Sequence, residues 1–250
     1  LRKGVWSYPD GIGLIDLRQV PELTGITRDD NSLVIGGATR LKEIVASELI
    51  QEQVPLLAQA VQEMASLQVR NSATIGGNLC TASPAADTAP PLLALKAELN
   101  LLDSQGQEER LPLSDFFTGP GQTVLGPDRL LTAIHIPIPA QNARFYRKKM
   151  GLRKAFTISV ISMALQASVQ KDRLQDVALA FGAVAPTPMR ATEVEQLLEG
   201  QALSPDLLDQ AAALAARAVN PISDVRASAD YRREMASVFT RRGLLQIMES

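Results

Sequence analysis

The stretch "TIGGNLCTASPAAD", Thr74–Asp87, limits what this chain can build more than any other. Two adjacent glycines, an asparagine, two hydroxyls, a proline and an acid follow directly on a helix-like stretch, so ordinary core structure does not run through it. Glycine has no Cβ. Gly76 and Gly77 can therefore take positive φ, let the backbone approach a ligand and turn their N–H groups toward an anion such as a pyrophosphate. Asn78, Thr81 and Ser83 add neutral hydrogen bonds, and Asp87 can accept from sugar hydroxyls. The plainer reading is a strand-to-loop turn whose glycines relieve crowding and whose Asp87 caps the next helix. A turn alone does not require an asparagine, two hydroxyls and an acid at fixed offsets.

The flanking sequence predicts strand-then-helix units. "LVIGGAT" reads as a short buried strand, with Thr39 as cap of a helix over "RLKEIVAS". From Pro55, "PLLAQAVQEMASLQ" places Leu57, Val61 and Met64 or Ala65 on one helical face. Pro90 and Pro91 suit the first turn of a short helix. "ELNLLDSQGQEERLPL" reads as a hairpin around Ser104–Gly106, and Leu130–Pro139 as a strand leading to a boundary. Beyond Gln141 the strands "FTISVISMALQASVQ" and "DVALAFGAV" precede helices: one with Thr192 and Glu195 as capping box, one capped by Ser204, and a last from about Ala229 to Met248. The pattern predicts an α+β protein with domains 1–140 and 141–250.

Composition narrows function. The net charge of −2, from 25 Lys plus Arg against 27 Asp plus Glu, gives no long-range attraction to nucleic acid or anionic membrane. One cysteine, Cys80, and one histidine, His135, exclude a cysteine-ligated iron–sulfur cluster, a His/Cys zinc site and a Ser-His-Asp hydrolase built from these residues. His135 reads as a solvent-facing imidazole between two core isoleucines, and Cys80 as a small apolar side chain. "GIGLID" lacks the third glycine and the following helix of a dinucleotide fingerprint. The basic runs "YRKKMGLRK" and "YRREM" read as a solvated rim or an interface to an acidic partner. No apolar run reaches the length of a membrane span, which predicts a cytoplasmic protein.

"NSATIGGNLCTASPAADTAPPLLALKAEL" resembles the second FAD-contacting segment of the molybdenum hydroxylase flavoproteins, the xanthine dehydrogenase and carbon monoxide dehydrogenase relatives. "LRKGVWSYPDGIGLIDLRQVPELTGI", "LVIGGATRLKEI", "LPLSDFFTGPGQTVLGPDRLLTAIHIP", "RKKMGLRKAFTISVISMAL" and "SDVRASADYRREM" follow in the family's order. The resemblance implies an FAD-binding domain in two subdomains of the vanillyl-alcohol-oxidase type, the second at roughly 56–140, followed by a C-terminal α+β domain. It implies that Thr74, Ile75, Gly76, Gly77 and Asn78 lie along the FAD diphosphate and nearby flavin, and that Thr81, Ser83 and Asp87 contact cofactor hydroxyls, including the ribityl ones, or phosphate. Met64 and Ala65 match a pair near the adenine, Leu130 and Leu131 match apolar residues beside a ring of the cofactor, and Lys149, or Lys148 in the alternative register, matches a lysine that reaches the flavin. The family's "AGGTDL"-type loop, the other half of the cradle, stands upstream of the "RKG" element; with Leu1 in first position, this predicts an N-terminally truncated first subdomain.

By the same resemblance the chain is an electron-relay subunit. A molybdopterin-binding large subunit would oxidise the substrate, [2Fe–2S] clusters of a small subunit would pass electrons to FAD, and NAD+ or another acceptor would collect them. The motif is nearest to the xanthine dehydrogenase-like branch. Two alternatives stand beside this: a free-standing FAD-dependent oxidoreductase on the same fold, or a flavin-free scaffold.

Overall fold

The computed structural model describes residues 15–153 and 156–249. Most of the expected entry connection, and the "RKG" element within it, lies outside the described residues. Its end forms a 3-10 turn at Leu17–Gln19, where the Asp16 carboxylate accepts from the Arg18 N–H.

The first lobe runs β1 (Ile26–Asp29), β2 (Ser32–Gly36), α1 (Leu41–Ala46), α2 (Glu48–Gln53), α3 (Pro55–Glu63), α4 (Leu67–Ser72), α5 (Ile75–Cys80) and α6 (Ala89–Ala94). It continues through β3 (Glu98–Asp103), β4 (Glu108–Pro112), β5 (Phe117–Gly119), β6 (Gln122–Thr123) and β7 (Arg129–Pro137). Antiparallel pairing orders one sheet β1-β2-β7-β3-β4. Leu33 faces Ile136, Ile35 faces Ile134, and Ile134 faces Leu99, all fully buried. This period-two apolar face is covered by Leu41, Ile44, Leu57, Val61, Ile75 and Leu79 from the helices. β1 and β2 precede residue 56 yet belong to this sheet, so a layer starting at 56 would cut the β2–β7 ladder; the layer reaches back to β1.

Local chemistry departs from expectation in three places. Thr39 is fully buried and donates to the Gly25 carbonyl at 3.0 Å, leaving Arg40 as the cap residue of α1, with its N–H donating to the Glu43 carboxylate at 2.9 Å. The helix expected from Pro55 breaks after Glu63: Ala65 takes φ +47°, and the Ser66 hydroxyl caps α4 by accepting from the Val69 N–H. His135 is half-buried rather than solvent-facing, with Nδ1 lacking a partner; burial first, and Arg110 second, lower its pKa.

The second lobe contains β8 (Ala143–Met150), β9 (Ile161–Gln170), β10 (Arg173–Gly182), β11 (Met189–Arg190), α7 (Thr192–Leu198), α8 (Pro205–Ala218) and α9 (Ala229–Glu249), with strands in the order β11-β10-β9-β8. Ser204 caps α8 as expected, accepting from the Leu207 N–H at 3.1 Å. Ala191, not Thr192, occupies the cap position of α7. Glu195 instead reaches back to β10, where it accepts from the Leu179 N–H at 2.8 Å and pairs with the Arg190 guanidinium.

β9 is buried on both faces, and its alternation sorts side chains by size. Met163, Leu165, Leu179 and Phe181 pack with Leu208, Phe239 and Ile247 of α8 and α9. The opposite face presents Ala164, Ala178 and Ala180 to the core of the first lobe. At Gly182 a Cβ would lie 2.9 Å from Pro90 of α6, so small residues let α6 close on this sheet.

The run "YRKKM", read as a solvated rim, belongs to β8. Alternate residues of this strand face the lobe junction: Phe145 packs on the first core, Arg147 pairs with Glu63 at 2.8 Å, and Lys149 pairs with Asp87 at 2.6 Å. Both cations are nearly buried, at 5% and 6% side-chain exposure. "YRREM" is likewise tied inward through Arg232, which is 1% exposed.

Candidate functional site

α5 sits where β2 turns into α1, and its N-terminal amides are already engaged. The Ile75 N–H donates to the Thr39 carbonyl at 3.0 Å, the Gly76 N–H to the Gly37 carbonyl at 2.9 Å, and the Gly77 N–H to the Thr74 hydroxyl at 3.1 Å. Gly76 and Gly77 are helical; neither has positive φ, which corrects the expectation of open amides turned to an anion. Their reason is space. A Cβ at Gly76 would lie 2.5 Å from the Gly37 carbonyl oxygen, whereas at Gly77 it would meet only the Thr74 hydroxyl, at 2.9 Å.

Gly77 opens instead onto a cleft of about 600 Å³. Thr74, Gly76, Asn78 and Thr81 form its α5 side, and Met64, Leu130 and Leu131 supply apolar wall. Leu130 is 40% exposed and Leu131 is nearly buried, so only the second serves the core as well. A second recess of about 460 Å³ is lined by Ala65, Ser83 and Asp87 of the first lobe and by Phe156 and Ile158 of the second. Met64, Val69 and Asn78 border both spaces, so the two recesses adjoin as parts of one cleft region. A cleft of this size, apolar with a few convergent polar groups, suits an extended cofactor.

Two of the expected site residues stand outside this lining. The Ile75 side chain is fully buried in the core, and its backbone N–H is already used. Lys149 lines an adjoining recess with Glu63 and Thr157, its Nζ donating to Asp87 Oδ2. Lys148 is exposed, so Lys149 is the register that faces inward. The structure gathers Ala65, Asp87 and Lys149 around one region, although the resemblance distributes them between adenine, hydroxyls and flavin.

The polar groups are organised rather than free. Asp87 accepts from Lys149 at 2.6 Å and from the Ser159 hydroxyl at 2.7 Å, and Thr88 rather than Asp87 holds the cap position of α6. Thr81 donates to the Gly77 carbonyl, and Asn78 Oδ1 accepts from Thr88, which leaves the Asn78 amide nitrogen as a donor on the cleft side. Cys80 borders the cleft with its thiol pushed up to about 11 by burial, which fits the reading of it as a small apolar side chain. The site is built to hold and orient a ligand, with its acid and base paired to each other.

Sequence reasoning missed Arg18, which lines the cleft and holds Asp16 down to about 2, and it missed Ser159. Both lie inside the blocks that carry the family resemblance, but neither stands at a glycine- or proline-marked position. Among the described residues no cluster of metal-ligating side chains occurs, and no helix is long and apolar enough to cross a membrane.

Residues 10–139 match the family described as the FAD binding domain in molybdopterin dehydrogenase, and residues 145–247 match the CO dehydrogenase flavoprotein C-terminal domain. The chain belongs to the FAD-binding medium subunits of the molybdenum hydroxylase family. This medium subunit is 33% identical over 234 residues to the glyceraldehyde dehydrogenase medium chain of Sulfolobus acidocaldarius, covering 94% of this chain and 82% of that one. It is 33% identical to the xanthine dehydrogenase FAD-binding subunit of Escherichia coli O157:H7, covering 92% and 79%. Its fold matches the reconstituted CO dehydrogenase from Oligotropha carboxidovorans with a TM-score of 0.89 at 30% identity, covering 94% and 81%. The combination of an FAD-binding domain and a CO dehydrogenase flavoprotein C-terminal domain is the α+β architecture expected from the sequence.

Proposed function

We propose that this medium subunit is the electron-exit component of a heteromeric molybdenum hydroxylase. FAD lies in the cleft along α5, with Thr74, Gly76, Gly77, Asn78 and Thr81 on one side and Leu130 and Leu131 on the other. Ala65, Ser83, Asp87 and Lys149 bound its far end. Bound there, FAD supplies the redox chemistry that accepts electrons from a [2Fe–2S] small subunit and delivers them to NAD+ or another acceptor. A molybdopterin-binding large subunit handles the substrate. The domain boundary falls at about residues 140–141, in the connection between β7 and β8, and the complex works in the cytoplasm.

The observation that carries this reading is the pairing of Asp87 with Lys149 and Ser159 at the wall of the cleft. A free-standing oxidoreductase needs a substrate-facing acid or base beside its flavin. Here both carboxylates that line the cleft are paired within the protein, Asp87 with Lys149 and Ser159 and Asp16 with Arg18. Relatives named for glyceraldehyde, xanthine and CO are similar to nearly the same degree, as expected when substrate binds elsewhere. Within that range the "NLCTASPAADTAP" block favours the xanthine dehydrogenase-like branch.

The test is the absorbance spectrum of the purified protein supplied with FAD, with released flavin identified chromatographically and copurifying subunits assayed for molybdenum and iron. Near-stoichiometric FAD together with both partners supports the relay. FAD with substrate turnover by the medium subunit alone would favour the free-standing enzyme, and failure to hold FAD would favour the scaffold.

A further inference from the structure

The block "SDVRASADYRREM" lines neither part of the cleft, yet two chains of hydrogen bonds lead from it to the "SPAAD" turn. Asp224 stands at their origin. Its Oδ2 accepts from Arg226 Nε at 3.0 Å and Nη2 at 2.6 Å, and its Oδ1 accepts from Arg232 Nη2 at 2.6 Å. Each arginine then spends a further N–H on a backbone carbonyl: Arg226 on Ser159 at 3.0 Å, Arg232 on Ala183 at 2.7 Å. Each of those residues in turn bonds the turn. The Ser159 hydroxyl donates to Asp87, and the Ala183 N–H donates to the Pro84 carbonyl at 2.7 Å. The two arms thus arrive at opposite ends of Pro84–Asp87, the segment that walls the second recess.

The guanidinium fork explains why arginine stands at both positions. It is planar and presents several donors spread in fixed directions, so a single side chain bridges a carboxylate and a carbonyl; an ammonium offers its donors from one point and does not reproduce that bidentate geometry. Arg232 is 1% exposed, and its buried charge is compensated by Asp224. Ser159 is fully buried, so its hydroxyl cannot exchange Asp87 for water.

We infer that Asp224, Arg226 and Arg232 are positioning residues for the FAD cleft: they fix the Pro84–Asp87 turn, and through Ser159 they hold Asp87 in register with Lys149. The inference rests on the FAD reading of the cleft for its effect on affinity, but the positioning of the turn is measurable without cofactor. Arg226 is the residue to change, because replacing Asp224 would strand the buried Arg232 and risk the fold.

The experiment compares Arg226→Met, Arg226→Lys, Ser159→Ala, the Met/Ala double variant and Val225→Ser in the protein as isolated. Val225 is fully exposed and serves as the control. Two quantities are read: hydrogen exchange at the Ala85 and Ala86 amides without FAD, and FAD affinity. Arg226→Met is expected to speed exchange in the turn and weaken FAD about tenfold at little change in melting temperature, and Arg226→Lys is expected not to restore either. Ser159→Ala removes the same link to Asp87, so the double variant should be no weaker in FAD binding than the weaker single variant, within about twofold. Unchanged exchange in Arg226→Met, or two losses of affinity that multiply, would overturn the inference. If the wild-type protein holds no FAD while exchange still responds to Arg226, the positioning stands and the cofactor reading is the one that fails.

Discussion

Gly76 and Gly77 are chemically identical, but their surroundings impose different limits. Alanine at Gly76 drives a methyl against a backbone carbonyl between α5 and the end of β2, where neither side can yield. Overpacking of this kind costs about 1–3 kcal/mol, so Gly76→Ala is expected to lower the melting temperature whether or not FAD is present. Alanine at Gly77 meets only a side-chain hydroxyl and projects toward the cleft. Gly77→Ala displaces only the Thr74 cap hydroxyl, so it is expected to lower the unliganded melting temperature less than Gly76→Ala and to weaken FAD binding, read by calorimetry or flavin fluorescence. Equal melting temperatures for both variants would refute this assignment. The sequence exposed the pair itself, because adjacent glycines inside an otherwise regular stretch need a steric reason. It hid which reason, because close approach and positive φ both select glycine and only the neighbours distinguish them.

At the scale of elements, legibility followed apolar periodicity. β2, β3, β7, β9, β10 and α8 carry alternation or caps that need no knowledge of their neighbours. β8 does not: its inward positions are Arg147 and Lys149, and a strand whose buried face is cationic looks like a solvated run until Glu63 and Asp87 are brought opposite. α7 shows the same limit. Glu195 has the spacing of a capping box, but the carboxylate serves a strand rather than its own helix. Its side chain is 8% exposed, and removing it strands a cation and a buried β10 N–H. Glu195→Ala is therefore expected to destabilise the second lobe by about 3 kcal/mol in urea unfolding, and Glu195→Gln by clearly less, since glutamine still accepts from Leu179. A cost below about 1 kcal/mol for Glu195→Ala would show that the local structure relaxes around the loss.

In the whole molecule the lobes join through ion pairs and through two helices, α6 and α3, the latter against β8. Lys96 pairs with Asp176, Glu63 with Arg147, and Asp87 with Lys149, while α6 lies on β9 and β10. The second recess has walls from both lobes, so a ligand in it binds only the assembled form. FAD at about a hundredfold above its Kd is then expected to stabilise both lobes together by about 2.7 kcal/mol, merging any separate unfolding steps into one. Lys149→Met leaves the nearly buried Asp87 carboxylate without its cation, so it is expected to lower the stability of the free protein by about 3 kcal/mol and to reduce the linked stabilisation as well. Stabilisation confined to the first lobe, measured by lobe-resolved hydrogen exchange, would contradict a cleft spanning the two.

The size sorting on β9 and β10 also bears on how hybrids of these subunits should be cut. The face made of Ala164, Ala178, Ala180 and Gly182 is moulded to α6, which precedes the β7–β8 connection in the chain. A chimera divided at that connection would set the α6 of one parent against the sheet of another, and a single methyl at the Gly182 position would hold them apart. α6 must therefore be inherited with the C-terminal sheet, and because α6 also shares a core with β2 and β7, which pair across the first lobe, a cut upstream of Pro84 divides that ladder instead: the two lobes are best inherited whole.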